Sequence, residues 1–260
     1  MPHRYDRIIT KLTRRPLSQN EFLLLLDEVG GLFSERESEL EIIKGSGIPL
    51  VFAHDKVYLK TTLTPICEER FCIVDIETNG HNPFVHQPIE IGAIVYQGGK
   101  ICGTFHSFVF CEEIPEYITK LTGITSPMLE KAPKIHQVLE TFKLFLGDCV
   151  FVAHNVSFDY QFLSNALYHY GFGYLYNPRL CTIKLAKKTF TSPRYSLEFL
   201  NEFLEIRHSP LHRALEDSKV ALEVFKKSLE SLDKKIYTSH DLIKFTEHID
   251  GGNNANPKLS

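Results

Sequence analysis

Phe71-Cys72-Ile73-Val74-Asp75-Ile76-Glu77-Thr78-Asn79-Gly80 reads as a strand buried on both faces. Its apolar run is nearly continuous and carries β-branched residues, the pattern of strands inside sheets covered by helices. Two carboxylates, Asp75 and Glu77, stand at its carboxyl end, where open α/β sheets place their ligands. Side chains alternate along a strand, so both acids point to one face. Two like charges about 4 Å apart repel by roughly 4 kcal/mol at an effective dielectric of about 20. Either a cation compensates them or one carboxyl stays protonated. Alone, the pair fits a solvated strand end with two incidental acids just as well. Residues further along complete a set.

The 260 residues have room for one large domain and a small one. Apolar content of 43% and charged content of 23% fit a globular chain rather than a disordered or membrane-embedded one. A net charge of −3 argues against binding nucleic acid through bulk positive charge, though not through local patches. Met1 to Arg15 is charged and lacks the apolar core of a signal peptide. No apolar run approaches a membrane span. The six cysteines are scattered without a CxxC pair, and read as reduced core thiols of a cytoplasmic protein.

Residues 1–66 form a unit of their own. Ser18 and Glu21 have the spacing of a capping box, opening an amphipathic helix through Phe22, Leu25, Leu26 and Val29. A second, acidic helix covers 35–44, and 48–53 with 57–62 makes a hairpin across His54-Asp55-Lys56. Helix, helix, hairpin describes a small α+β module, either winged-helix-like or a plain packing appendage. Beyond Pro65 the main domain spans 70–232. After the Asp75 strand come a second strand at 88–97, a Gly98-Gly99 turn and a third strand at 100–110. Short helices and a longer one to Leu146 lead to the apolar strand 149–153, which runs into His154-Asn155 and a helix holding Asp159. The expected class is α/β. A last helix is expected at 236–249, and residues 251–257 have tail composition.

His212 and Asp217 lie five apart, about 140° around a helix, so they converge only if His212 sits before the helix proper. Asp75, Glu77, Asp159 and Asp217 are then four hard oxygen ligands at strand ends and helix starts, which suits Mg²⁺ or Mn²⁺ rather than zinc. Two divalent cations would balance four carboxylates, and a pair about 4 Å apart can activate water against a phosphodiester. A neutral His212 beside them suits general-base work.

The ordered set Asp75-x-Glu77, His154-Asn155-x3-Asp159 and His212-x4-Asp217 resembles the DEDDh, or DnaQ-like, 3′–5′ exonuclease family. The tyrosine branch of that superfamily would place Tyr at position 213, which is Arg here. The segment Leu121-Thr122-Gly123-Ile124-Thr125-Ser126-Pro127 is similar to proofreading exonucleases of bacterial replicative polymerases, the epsilon subunit of DNA polymerase III and the PolC exonuclease domain. The resemblance covers about 70–232 and implies a ribonuclease-H-like five-stranded mixed sheet flanked by helices.

It also implies roles. Asp75, Glu77, Asp159 and Asp217 would hold two divalent cations, with His212 as general base. Thr78, Asn155, Phe158, Leu121 and Ile124 would line the groove for a single-stranded or frayed 3′ end, although Phe158 reads equally as a core residue. Lys184, Lys187, Lys188 and Arg194 would track phosphates or simply form a solvated basic face. The implied activity is 3′–5′ removal of nucleotides from DNA, with a replicative polymerase subunit as partner and 236–249 as its contact. An RNA 3′–5′ exonuclease and a partner-binding module are the alternatives.

Overall fold

The computed structural model describes residues 4–30, 35–209 and 212–247. The amino-terminal elements are α1 (Asp6–Leu12), β1 (Leu17–Ser18), α2 (Gln19–Gly30), α3 (Arg36–Gly45), β2 (Leu50–Ala53) and β3 (Lys56–Leu59). Their small sheet has the order β1-β3-β2. The Ser18 hydroxyl accepts the Glu21 N–H, as the capping spacing predicts. His54 and Asp55 both take positive φ, the twist that a tight hairpin demands. Ile8, Phe22, Leu26, Ile43 and Val57 close a core of their own. Helix α1 and strand β1 are absent from the sequence expectation, because one helical turn of Ile8 and Leu12 among Arg, Lys and Thr gives too short an apolar period.

The main domain continues with β4 (Phe71–Thr78), β5 (Pro88–Gln97), β6 (Lys100–Phe108), α4 (Glu116–Thr122), α5 (Ser126–Glu130), α6 (Ile135–Leu146) and β7 (Val150–Ala153). After these come α7 (Val156–His169), β8 (Arg179–Cys181), α8 (Thr182–Thr189), α9 (Leu197–Phe203), α10 (Ala214–Glu230) and α11 (Ser239–Glu247). The five-stranded sheet runs β6-β5-β4-β7-β8. Strands β4, β5 and β6 pair antiparallel, while β7 joins β4, and β8 joins β7, in parallel. Cys72, Val74 and Ile76 bury one face under Phe142, Phe162 and Leu163. Phe71 and Ile73 bury the other under Leu222 and Phe225 of α10, Leu185 of α8 and Leu242 of α11. This is the mixed sheet flanked by helices that the resemblance implies.

Three details depart from expectation. Cys72, Cys149 and Cys181 are buried thiols, but Cys67 and Cys102 are exposed, Cys102 on the outermost strand β6. The last helix begins at Ser239 rather than at 236, and Leu242 and Ile243 bury its apolar face in the sheet core. That face is therefore spent inside the chain and is not offered to a polymerase. Lys187 and Lys188 each lie over a ring, of Tyr195 and of Phe245, a contact the sequence did not suggest. The tail expected at 251–257 lies outside the described residues.

The small module is seated on the β8 side of the sheet. Tyr176, just ahead of β8, packs edge-on against Tyr5, and its N–H donates to Ser46 O at 3.0 Å. Lys60 pairs with Asp148 at 2.8 Å, and the Ser239 hydroxyl donates to Glu69 at 2.6 Å.

Candidate active site

Strand β4 delivers Asp75 and Glu77 to the face that α10 covers, two and four positions beyond the buried Ile73. In the sheet register Asp75 lies opposite Gly92 of β5, and Gly92 opposite His106 of β6; Glu77 lies opposite Glu90. Gly92 leaves no room for a side chain. A Cβ there would meet the carbonyl carbon of Ala214 and the nitrogen of Leu215 at 2.3 Å. The first turn of α10 thus rests directly on β5, with the Ser218 hydroxyl donating to Gly92 O at 3.0 Å.

Asp159 arrives from the other side. Asn155 takes φ 74° and ψ 55°, which turns the chain from β7 into α7 between Ala153 and Val156. Asp159 is buried in the first turn of that helix, and its carboxylate accepts the N–H of Ile76, the residue between Asp75 and Glu77. His212 precedes α10 at φ 61°, and its backbone N–H donates to Asp217 Oδ2 at 3.2 Å. The left-handed turn resolves the five-residue offset. Donor atoms of Glu77, His212 and Asp217 all lie within 4.8 Å of one another.

The electrostatics follow from crowding. Burial, then Asp159, Asp217, Glu77 and Glu90, push the Asp75 carboxyl well above its ordinary range. Burial likewise raises Asp159, against the hydrogen bonds it accepts. Glu77 is raised to about 8 by burial and then by Asp217 and Glu90. Asp217 is raised to about 6, mainly by burial, with His212 opposing. Asp217 Oδ1 is buried with no hydrogen-bond partner among the described residues. Mutually repelling carboxylates beside one imidazole form a donor set that fits divalent cations.

A second group beside the acids escaped the sequence reading. Glu90 is wholly buried, directly across the strand pair from Glu77. Arg213 holds it, with Nη2 at 3.0 Å from Oε1 and Nε at 3.2 Å from Oε2, while His106 Nε2 lies 2.7 Å from Oε1 and Ala214 N donates to Oε2 at 3.1 Å. Arg213 adjoins His212, so this buried pair anchors the residue next to the imidazole. The available signals were an acid and a glycine inside an otherwise apolar strand.

The predicted groove residues divide. Asn155, Phe158 and Leu121 are exposed, with Phe158 stacked at a tilt on Phe162 at 4.9 Å. Thr78 is largely buried, and its hydroxyl donates to Gly80 O at 2.6 Å, shaping the loop after β4. Ile124 is a correction: its side chain is fully buried with Ile89, Ile118 and Leu129, so it supports the α4–α5 turn and has no surface for a substrate. His154 is structural as well. Tyr195 O can only accept, so Nε2 carries the proton at 2.9 Å and Nδ1 accepts from Thr182 at 2.8 Å. Burial lowers its pKa to about 4.

The model of the exonuclease family matches residues 72–225, a span that holds all five of the predicted catalytic positions. The chain belongs to this family. It is similar to the DNA polymerase III epsilon subunit of Aquifex aeolicus, 38% identical over 164 residues, which covers 62% of this chain and 81% of the relative. It is also similar to the PolC-type DNA polymerase III of Caldanaerobacter subterraneus, 35% identical over 210 residues. There the match covers 77% of this chain but only 14% of the relative, so the chain spans a small part of that polymerase. Among solved structures, exonuclease X in complex with 5′ overhanging duplex DNA aligns with a TM-score of 0.51, 23% identity and coverage of 68% of this chain and 99% of that chain. E. coli exonuclease I in complex with a dT13 oligonucleotide aligns with a TM-score of 0.55, 20% identity and coverage of 62% and 41%. Both show that this exonuclease has their fold. No helix among the described residues is long and apolar enough to cross a membrane.

Proposed function

We propose that this exonuclease removes nucleotides one at a time from the 3′ end of DNA, as the proofreading activity beside a replicative polymerase in the cytoplasm. The convergence of Glu77, His212 and Asp217 within 4.8 Å, with Asp75 on the same strand face and the buried Asp159 bonded to the intervening Ile76 N–H, carries the reading. The epsilon and PolC relatives support the DNA substrate and the polymerase partner. Residues 70–232 act as the exonuclease domain, 1–66 as an accessory module and 236–260 as a carboxyl-terminal segment.

Asp75, Glu77, Asp159 and Asp217 would hold two divalent cations, Mg²⁺ or Mn²⁺, which would supply Lewis-acid charge at the scissile phosphodiester. His212, exposed at the rim, takes the proton from the attacking water at its imidazole. Arg213 stays on Glu90 and fixes the backbone on which His212 turns. Phe158 and Leu121 present apolar surface to the terminal base. A frayed terminus costs less to unpair than a matched one, so a site that accepts single-stranded ends removes mismatches first.

The test is digestion of 5′-labelled matched DNA, mismatched DNA and RNA primers with Mg²⁺, Mn²⁺ or EDTA. The expected product ladder shortens from the 3′ end, runs faster on the mismatch than on RNA, and stops in EDTA. Full turnover by an Asp75→Ala variant would overturn the assignment.

A further inference from the structure

A cleft of about 1350 Å³ separates helix α7 from the amino-terminal module and α11. That volume exceeds the ~300–1,000 Å³ of ordinary small-molecule pockets. It is an elongated space, because Ser157, Gln161, Asn165 and Tyr168 line it at successive turns of α7. From 157 to 168 a helix rises by roughly 16 Å. Phe84 also lines it, in the loop that leaves β4 after Glu77, and Ser157 stands two residues before Asp159. One end of the cleft thus lies at the first turn of α7, the turn that also carries Asp159, although none of the four acids lines it.

Its chemistry differs from the acidic site. Four cations line it (Arg4, Lys143, Arg179 and Lys244) against two carboxylates, Asp6 and Glu247; Arg4 is held by the buried Glu39 and Lys143 by Phe172 O, so Arg179 and Lys244 are the exposed pair. Flat rings are on offer as well. Tyr168 and Tyr174 stack with centroids 4.1 Å apart at 6°, and exposed Arg179 lies over the Tyr160 ring at 4.9 Å. Of the buried polar side-chain atoms that lack a partner among the described residues, Thr61 Oγ1, Asn165 Nδ2, Asn177 Oδ1 and His240 Nε2 all belong to residues lining this one cleft. Unpaired buried groups cost free energy unless something binds them. Helix α3 on the module shows the opposite character, with exposed Glu37 and Glu41, so the cleft rather than that helix carries the affinity for a polyanion.

We propose that this cleft holds the single strand upstream of the 3′ end, stacking its bases on the tyrosines and pairing its phosphates with Arg179 and Lys244. An end at the first turn of α7, length, rings and exposed cations are the features of a sequence-tolerant single-strand track. The amino-terminal module is then the far wall of that track. The inference rests on the proposed exonuclease reading, since it takes the terminus to lie at Asp75.

The experiment uses the full chain carrying Asp75→Asn, with fluorescein-labelled dT4 and dT16 and with dT16 bearing one photoactivatable thymidine at successive distances from the 3′ end. The expected result is at least tenfold tighter binding of dT16 than dT4, with interior thymidines crosslinked to Tyr168, Tyr174 or Gln161. Replacing exposed Tyr168 by Ala weakens dT16 about tenfold or more. Arg179→Ala lowers the salt slope of log K by about 0.7, the share of one phosphate on a single strand. Equal affinity of dT4 and dT16, or interior crosslinks confined to Phe158 and Leu121, overturns the inference while leaving the exonuclease reading intact. Displacement of dT16 from the cleft by dTMP at comparable concentration makes it a mononucleotide site and also overturns it. Absence of any oligonucleotide binding overturns the inference, and activity on the labelled primers then decides the exonuclease reading separately.

Discussion

Arg213 and Glu90 form a two-point ion pair, Nη2 to Oε1 at 3.0 Å and Nε to Oε2 at 3.2 Å, on a carboxylate that no solvent reaches. Glu90 faces Glu77 across the strands, so this cation also lies in the field of the proposed metal ligands. Taking Arg213 away leaves a buried charge supported only by His106 and the Ala214 N–H. Arg213→Ala is expected to lower unfolding free energy by about 3 kcal/mol, as for a buried pair cut on one side. Arg213→Lys restores only part of this, because an ammonium cannot reproduce the fork. Urea unfolding of the three proteins measures it, and a loss under 1 kcal/mol would contradict the pair's structural role.

Gly92 tests the seating of α10. The obstacle to a methyl group is the backbone of Ala214 and Leu215, not a movable side chain. Gly92→Ala therefore pushes the helix from β5, and His212 and Asp217 move with it. Overpacking of this kind costs about 1–3 kcal/mol. Displacement of catalytic groups by about 1 Å is expected to lower kcat by roughly 100-fold. Steady-state kinetics at a temperature where the variant is folded separates the two effects.

The crowded acids make the metal-free protein pH-sensitive in a defined direction. The Glu77 pKa stands at about 8 in the folded chain, above the roughly 4.3 of an unperturbed glutamate. Between those values the folded state binds more protons than the unfolded state, so stability falls as pH rises from about 4 to about 8. In EDTA the melting temperature is expected to be lower at pH 8 than at pH 6. Glu77→Gln removes one of the repelling charges and should raise stability at pH 8 by about 2 kcal/mol while abolishing exonuclease activity. Added Mn²⁺ at pH 8 should stabilise the parent chain more than this variant. Calorimetric scans across the pH series decide the matter.

The sheet and its acids were legible because β4, β5 and β7 are predominantly apolar, and because alternation alone puts Asp75 and Glu77 on one face. The convergence of His212 with Asp217 was legible only as a condition on the loop, which φ 61° at His212 meets. Glu90 and Gly92 stand out locally as an acid and a glycine in an apolar strand, but nothing local says that the acid finds Arg213 or that the glycine receives a helix. Ile124 misled for the opposite reason: the Leu-Thr-Gly-Ile segment marks the turn, but only packing against Ile89 reveals which of its side chains face inward. Helix α1 needed its partners in the small core before its spacing meant anything.

Phe158 is the remaining residue whose role two measurements separate. It precedes Asp159, one face of its ring rests on Phe162 at 4.9 Å, and the side chain is 36% exposed. As a platform for the terminal base it would contribute about 1–3 kcal/mol of stacking, so Phe158→Ala should raise KM about tenfold or more with a smaller change in kcat. Phe158→Tyr keeps the ring and should keep KM near the parent value. As a packing residue it would instead act through Phe162, and truncation would lower unfolding free energy by roughly 0.5–1.5 kcal/mol from the lost aromatic pair. A variant that loses stability but retains its KM assigns the ring to the core, because a base that stacks there would feel its absence before the fold does.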